Sequence, residues 1–154
     1  MIFRYCNVLT VMVYYYIQAR WKFLLYLGAK SMKKSVLIVD DNEMHLNLIK
    51  EMLTEQYNIQ TVNSAVNALK HLNTNKVDII LLDILMPNIG GFEFLYAIRE
   101  IPSYMDVPII IVSGNTGEDY IREAKNSSAF EVLAKPVNQL QLQKTIEKAL
   151  RSNE

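Results

Sequence analysis

Val77-Asp78-Ile79-Ile80-Leu81-Leu82, followed at once by Asp83, is the stretch that decides the fold. It is an almost unbroken apolar run of strand length. A strand with one wet face alternates apolar and polar residues. A strand covered on both faces does not, and that pattern belongs to a parallel sheet sandwiched between helices. Val107–Val112 (VPIIIV) repeats the pattern and ends at Ser113.

Outward from these two runs the chain alternates. Val36–Val39 is a short β-branched strand ending in Asp40-Asp41, and Leu46, Ile49, Met52 and Leu53 form a helical stripe after it. Asn58–Val62 is a weaker strand, and Ser64 is a suitable cap for a helix over Ala65–Leu72. Phe92–Ile98 reads as helix, Thr116–Asp119 as a helix start continued by Tyr120–Lys125, and Phe130–Ala134 as a short strand. Leu142, Ile146, Ala149 and Leu150 give a last amphipathic helix. Strand and helix thus alternate five times, which implies an α/β fold with a doubly wound parallel sheet.

In such a sheet the site lies at the carboxyl ends of the strands. The strand ends read Asp40-Asp41, Asp83, Ser113 and Lys135. Three carboxylates brought together repel, and a hard divalent cation such as Mg²⁺ relieves that repulsion. A carboxylate beside such an ion can attack phosphorus, with the ion and Lys135 neutralising the phosphoryl oxygens. Ser113 can hydrogen-bond one of those oxygens.

These residues also carry a resemblance. VLIVDDNE (36–43), LLDILMPNIGG (81–91), IIIVSGN (109–115) and LAKPV (133–137) resemble the receiver domain of two-component response regulators, of the single-domain chemotaxis and sporulation kind. The spacings agree: 42 residues from Asp41 to Asp83, 30 to Ser113 and 22 to Lys135. The resemblance implies a flavodoxin-like (βα)5 domain with strand order 2-1-3-4-5. It implies that Asp83 is the phosphoacceptor, Ser113 the switch hydroxyl and Lys135 the partner of the phosphoryl group. It implies Mg²⁺ held by Asp40, Asp41, Asp83 and the backbone carbonyl of Leu85. It implies a cis bond before Pro136. The phosphodonor would be a phosphohistidine on a sensor histidine kinase or a histidine phosphotransfer protein.

One position departs from the family. Three residues before Lys135, where the family commonly has Tyr or Phe, stands Val132, and Phe130 is the nearest ring on the same strand face. Gly90-Gly91 is expected to serve backbone geometry, and His45 and His71 to be solvated helix residues.

Composition narrows the function. Sixteen basic and sixteen acidic residues give zero formal charge, which excludes a polycation that binds nucleic acid at large. One cysteine excludes an internal disulfide framework and a Cys-based zinc site. The balance is uneven along the chain. Residues 1–31 carry four basic groups, no acid and eight of the fifteen aromatics, whereas residues 32–154 are net −4. Tyr5–Ala19, the longest uncharged run of that first segment, has 15 residues, short of the roughly 20 that span a bilayer. The expected division is an apolar basic extension over 1–31 and a receiver domain over 32–154. The extension reads as a start-site artefact, or as a membrane-interface or partner-binding helix, with membrane contact the lesser reading.

The expectation is therefore a cytoplasmic, stand-alone response regulator that is not an enzyme. With few residues after the last helical stripe, its output would be phosphorylation-dependent contact with a protein target, through the fourth helix, fifth strand and fifth helix. Haloacid-type phosphatases also use an Asp nucleophile on such a sheet, but need a second Asp two residues later, where this chain has Leu85. The remaining alternative is a membrane-tethered, non-signalling interaction module of receiver fold.

Overall fold

A computed structural model describes residue 12 and residues 15–20, 33–114 and 117–153. The chain divides into two compact units, Met1–Met32 and Lys33–Glu154. In the first, residues 15–20 are helical and exposed, and the rest of the expected extension, Met12 apart, lies outside the described residues. Among the described residues, no helix is long and apolar enough to cross a membrane.

The second unit carries strands β1 (Ser35–Val39), β2 (Asn58–Val62), β3 (Ile79–Leu82), β4 (Ile109–Ser113) and β5 (Glu131–Ala134). Between and after them run helices α1 (Glu43–Leu53), α2 (Ala65–Leu72), α3 (Gly91–Arg99), α4 (Glu118–Asn126) and α5 (Gln139–Arg151). The strands form one sheet in the order β2-β1-β3-β4-β5, every neighbouring pair parallel. The fold is flavodoxin-like, as expected. Thr116, expected in the helix start, lies outside the described residues.

Two strands begin later than their apolar runs. β3 starts at Ile79 because Asp78 is spent on a strand-start clasp: its N–H donates to the Ser35 carbonyl at 2.8 Å and its carboxylate accepts the Ser35 N–H at 2.7 Å. β4 starts at Ile109 because Pro108 has no N–H for the ladder, although its carbonyl still accepts from Ile80.

The central strands fill both layers, as an unbroken apolar run requires. Successive side chains point to opposite faces of a strand. Leu37, Val39, Ile80, Leu82, Ile109 and Ile111 therefore pack with Ala68, Phe94, Leu95, Ile98 and Ala124 of α2, α3 and α4. Val36, Ile38, Ile79, Leu81, Ile110 and Val112 pack with Leu46, Ile49, Leu53, Leu142 and Ile146 of α1 and α5. Ser64 caps α2 as expected, accepting from the Asn67 N–H at 3.2 Å.

A clasp ties the far edge of the sheet. The Arg99 guanidinium, at the end of α3, donates to the carbonyls of Tyr104 (3.0 Å) and Val107 (2.8 Å) ahead of β4. It also donates to the hydroxyl (2.9 Å) and carbonyl (3.1 Å) of Ser128, after α4. His71 is not the solvated residue expected: it is half-buried, and its Nε2 is hydrogen-bonded to Gln60 Oε1 of β2, because the last turn of α2 lies against that edge strand.

Candidate functional site at the carboxyl edge of the sheet

Each site residue is placed by the end of a strand. Asp40 follows β1 and is held by its own backbone, whose N–H donates to Val62 O at 3.2 Å. Its Oδ1 accepts the Asn42 N–H at 2.8 Å. Helix α1 is capped by Asn42, which accepts from the N–H groups of Met44 and His45, so neither Asp40 nor Asp41 is its cap. Asp83 follows β3, with its N–H on Val39 O at 2.8 Å and its Oδ1 accepting from the Leu85 N–H at 3.3 Å. Asp40 and Asp83 are buried, and Asp41 is exposed.

One cation bridges the buried pair. Lys135 Nζ donates to Asp40 Oδ2 at 2.6 Å and to Asp83 Oδ2 at 2.9 Å. Its remaining contact is His45 Nδ1 at 3.1 Å. His45 Nδ1 also lies 3.3 Å from Asp40 Oδ2. His45 was expected to be solvated; the first turn of α1 instead brings it onto the lysine. The Lys135–Pro136 peptide bond is cis, as expected.

Asp40, Asp41 and Asp83 each offer a carboxylate oxygen, and these three oxygens lie within 4.8 Å of one another. Among the described residues they are the one acidic group so arranged. Three carboxylates against one ammonium leave a formal charge of −2 in a small volume. An all-oxygen donor set with that charge fits a hard divalent cation.

Ser113 ends β4 at the same edge and is buried. Its carbonyl accepts the Lys135 N–H at 2.8 Å, which holds the ends of β4 and β5 together. Its hydroxyl accepts from the Tyr120 hydroxyl, on the first turn of α4, at 3.0 Å. The Tyr120 ring rests on Phe92 of α3, centroid to centroid 5.4 Å. Burial pushes the Tyr120 hydroxyl above the ordinary tyrosine range, while the bond to Ser113 draws it partly back and the nearby Asp83 and Glu123 charges raise it. No strand-end logic pointed to Tyr120; its sequence signal is an aromatic in the first turn of an otherwise polar helix. Phe130, expected in the fifth strand on the same face as Val132, lies outside β5 and packs with the α1 and α5 layer, under Lys148 at 5.5 Å. The Leu85 side chain is exposed.

Gly91 belongs to the site through its closeness. A Cβ there would stand 2.4 Å from the Asp83 carbonyl oxygen and 2.6 Å from Ile84 Cα. The first turn of α3 thus presses directly on the backbone that carries Asp83. The expectation that this glycine serves backbone geometry agrees with that approach.

The sheet order and its acidic carboxyl edge define an α/β domain of the flavodoxin-like class. The chain belongs to the response regulator receiver domain family, whose model matches residues 36–147. A protein-glutamate methylesterase/protein-glutamine glutaminase of Clostridium acetobutylicum is 36% identical over 117 residues, 73% of this chain and 33% of that protein. An uncharacterized response regulatory protein of Vibrio cholerae is 33% identical over 122 residues, 77% of this chain and 49% of that protein. The chain therefore spans half or less of these curated relatives. Among solved structures, the chemotaxis protein CheY4 of Vibrio cholerae matches with a TM-score of 0.72 at 30% identity, covering 76% of this chain and 98% of that one. Receiver domains of this family bind Mg²⁺ at an acidic cluster and take a phosphoryl group from histidine kinases or phosphotransfer proteins, and this chain carries a similar acidic group.

Proposed function

We propose that Asp83 accepts a phosphoryl group from a phosphohistidine on a sensor histidine kinase or phosphotransfer protein, and that the loaded domain signals by contact with a protein target. The observation that supports this best is the Lys135 ammonium shared by Asp40 and Asp83 at the ends of three strands. In the transfer, an Asp83 carboxylate oxygen forms the new O–P bond as the histidine N–P bond breaks. The electron pair of that bond stays on the histidine nitrogen.

The residues have separate tasks in this scheme. Asp40, Asp41, Asp83 and the Leu85 backbone carbonyl would hold Mg²⁺, which would offset the charge of the phosphoryl oxygens. Lys135 already touches the attacking carboxylate, and pairs with a phosphoryl oxygen once the group arrives. Ser113 hydrogen-bonds another. Fixed charges aimed at the developing charge supply the catalysis, so no general base is required. We assign the chemistry to a receiver domain over 32–154, working in the cytoplasm, with residues 1–31 as a separate extension.

Incubation with acetyl phosphate tests this. The protein should gain the mass of one phosphoryl group, and Asp83→Asn or chelation of divalent ions should abolish the gain. Undiminished labelling of Asp83→Asn would move the acceptor elsewhere. No labelling of the native chain would favour a non-signalling module.

A further inference from the structure

The Lys135 ammonium has a third neighbour besides its two carboxylates, and the site itself holds that neighbour in place. His45 Nδ1 lies 3.1 Å from Nζ and 3.3 Å from Asp40 Oδ2. A closed set of bonds puts it there. Asp40 Oδ1 accepts the Asn42 N–H at 2.8 Å, and Asn42 Oδ1 accepts the His45 N–H at 3.3 Å. The first turn of α1 thus starts from Asp40 and returns the imidazole to the same carboxylate. Among the described residues, every polar contact of the ring is made by Nδ1.

What the ammonium needs changes when the site is loaded. In this structure Nζ donates to Asp40 Oδ2 at 2.6 Å and to Asp83 Oδ2 at 2.9 Å. Under the function proposed above, both carboxylates also serve Mg²⁺, and the ammonium beside them is then repelled by a second cation. An ammonium has three donors, and each weakened carboxylate bond leaves one of them short. Of its three partners, His45 alone lies outside the acidic group, so it is the partner that metal binding leaves to the lysine.

We propose that His45 is a positioning residue for phosphoryl transfer: its Nδ1 accepts a hydrogen bond from Lys135 and keeps the ammonium beside Asp83 while the carboxylates hold Mg²⁺. The tautomer of an imidazole sets whether a given ring nitrogen donates or accepts. Two observations favour acceptance at Nδ1. The nitrogen stands closer to the ammonium than to the carboxylate, and Oδ2 of that carboxylate already receives the lysine at 2.6 Å. An N–H at Nδ1 would turn its positive end toward the shared cation. His45 acts through Lys135 alone, by fixing where the ammonium stands when the O–P bond forms. This inference rests on the assignment of Asp83 as phosphoacceptor.

The test compares the full native chain with His45→Asn and His45→Leu. Acetyl phosphate is the donor, intact mass follows loading, and Mg²⁺ is varied up to saturation. In His45→Asn, Oδ1 stands as many bonds from the backbone as Nδ1 does and can accept. In His45→Leu a methyl group takes that place. The imidazole is 39% exposed, so neither change removes much packing. At saturating Mg²⁺, His45→Leu should load about tenfold more slowly than the native chain, with its half-saturating Mg²⁺ concentration changed by less than about twofold. His45→Asn should return to within about threefold of the native rate. In the native chain, the ¹⁵N resonances of the imidazole should show an unprotonated, hydrogen-bonded Nδ1 with and without Mg²⁺, a reading that stands whether or not a variant folds. A proton on Nδ1 overturns the inference. So does a His45→Leu chain that loads at the native rate, or a His45→Asn chain that loads no faster than His45→Leu. A His45→Leu defect that saturating Mg²⁺ abolishes also overturns it, since the histidine would then serve the metal. Each of these results leaves Asp83 as acceptor. If the native chain gains no mass, the acceptor assignment falls and the inference with it.

Discussion

The centre of the sheet and its α4–β5 flank are built to different standards. Every residue of β3 and β4 is buried, and Phe94 and Leu95 of α3 are fully enclosed. On the flank, Leu133 alone is buried in β5 and Ala124 alone in α4, with a cavity between them. The acidic site sits where the centre ends. Groups that hold charge in place need neighbours that do not move, whereas groups that report a change need neighbours that do. The comparison predicts a gradient of mutational cost from the centre outward.

Phe94→Ala should cost about 4 kcal/mol, the loss expected for an aromatic truncated in a core that cannot collapse around it. Urea denaturation measures this; a loss near 1 kcal/mol would place the centre on the same footing as the flank. Next comes Gly91→Ala. Its new Cβ meets two backbone groups that have no way to give, so about 2–3 kcal/mol should be lost, and Mg²⁺ binding with it. Gly90→Ala is the control. Its Cβ crowds only the far end of Glu93, with the Ile84 carbonyl at an ordinary 3.8 Å, and should change stability by less than about 0.5 kcal/mol.

Lys135→Ala should cost about 2 kcal/mol in chelator, because two buried carboxylates lose the cation they share. Saturating Mg²⁺ should recover at least half of that, since an ion that binds the folded state alone stabilises it. A penalty indifferent to Mg²⁺ would show that Lys135 acts as a packing element. The smallest effect belongs to the flank: Ile121→Ala, at a position 37% exposed, should cost no more than about 0.5 kcal/mol. A loss above about 1 kcal/mol would show the flank packed like the centre and dissolve the comparison.

What the sequence disclosed follows the same line. VDIILL and VPIIIV announced both the parallel sheet and its central strands, because burial on two faces leaves a pattern within a single stretch. Asp40, Asp41, Asp83, Ser113 and Lys135 could be found by asking what ends each strand. The structure gathers the three carboxylates together, Asp40 and Asp83 of them on Lys135, with Ser113 at the same edge. The contacts of Tyr120 and His45 were hidden for a different reason. Each is a helix residue whose partner depends on how far and at what angle the helix returns to the sheet, and helical periodicity does not encode that. The role of Asn42 was hidden by its two neighbours: three consecutive residues could each cap α1, and only the backbone direction selects among them. Phe130 was misplaced because strand alternation was extended past the residue where β5 begins.

The Arg99 clasp gives α4 a fulcrum. Four hydrogen bonds pin Ser128 and the approach to β4 to the end of α3, just beyond the carboxyl end of α4. At the opposite end, Gly117 provides no side-chain cap, and Tyr120 bonds to the edge of the acidic site. A helix of nine residues is about 13 Å long, so a tilt of about 5° about the pinned end carries the other by about 1 Å. The helix is therefore anchored by the clasp at the end remote from the chemistry and tied to the acidic edge through Tyr120 at the other.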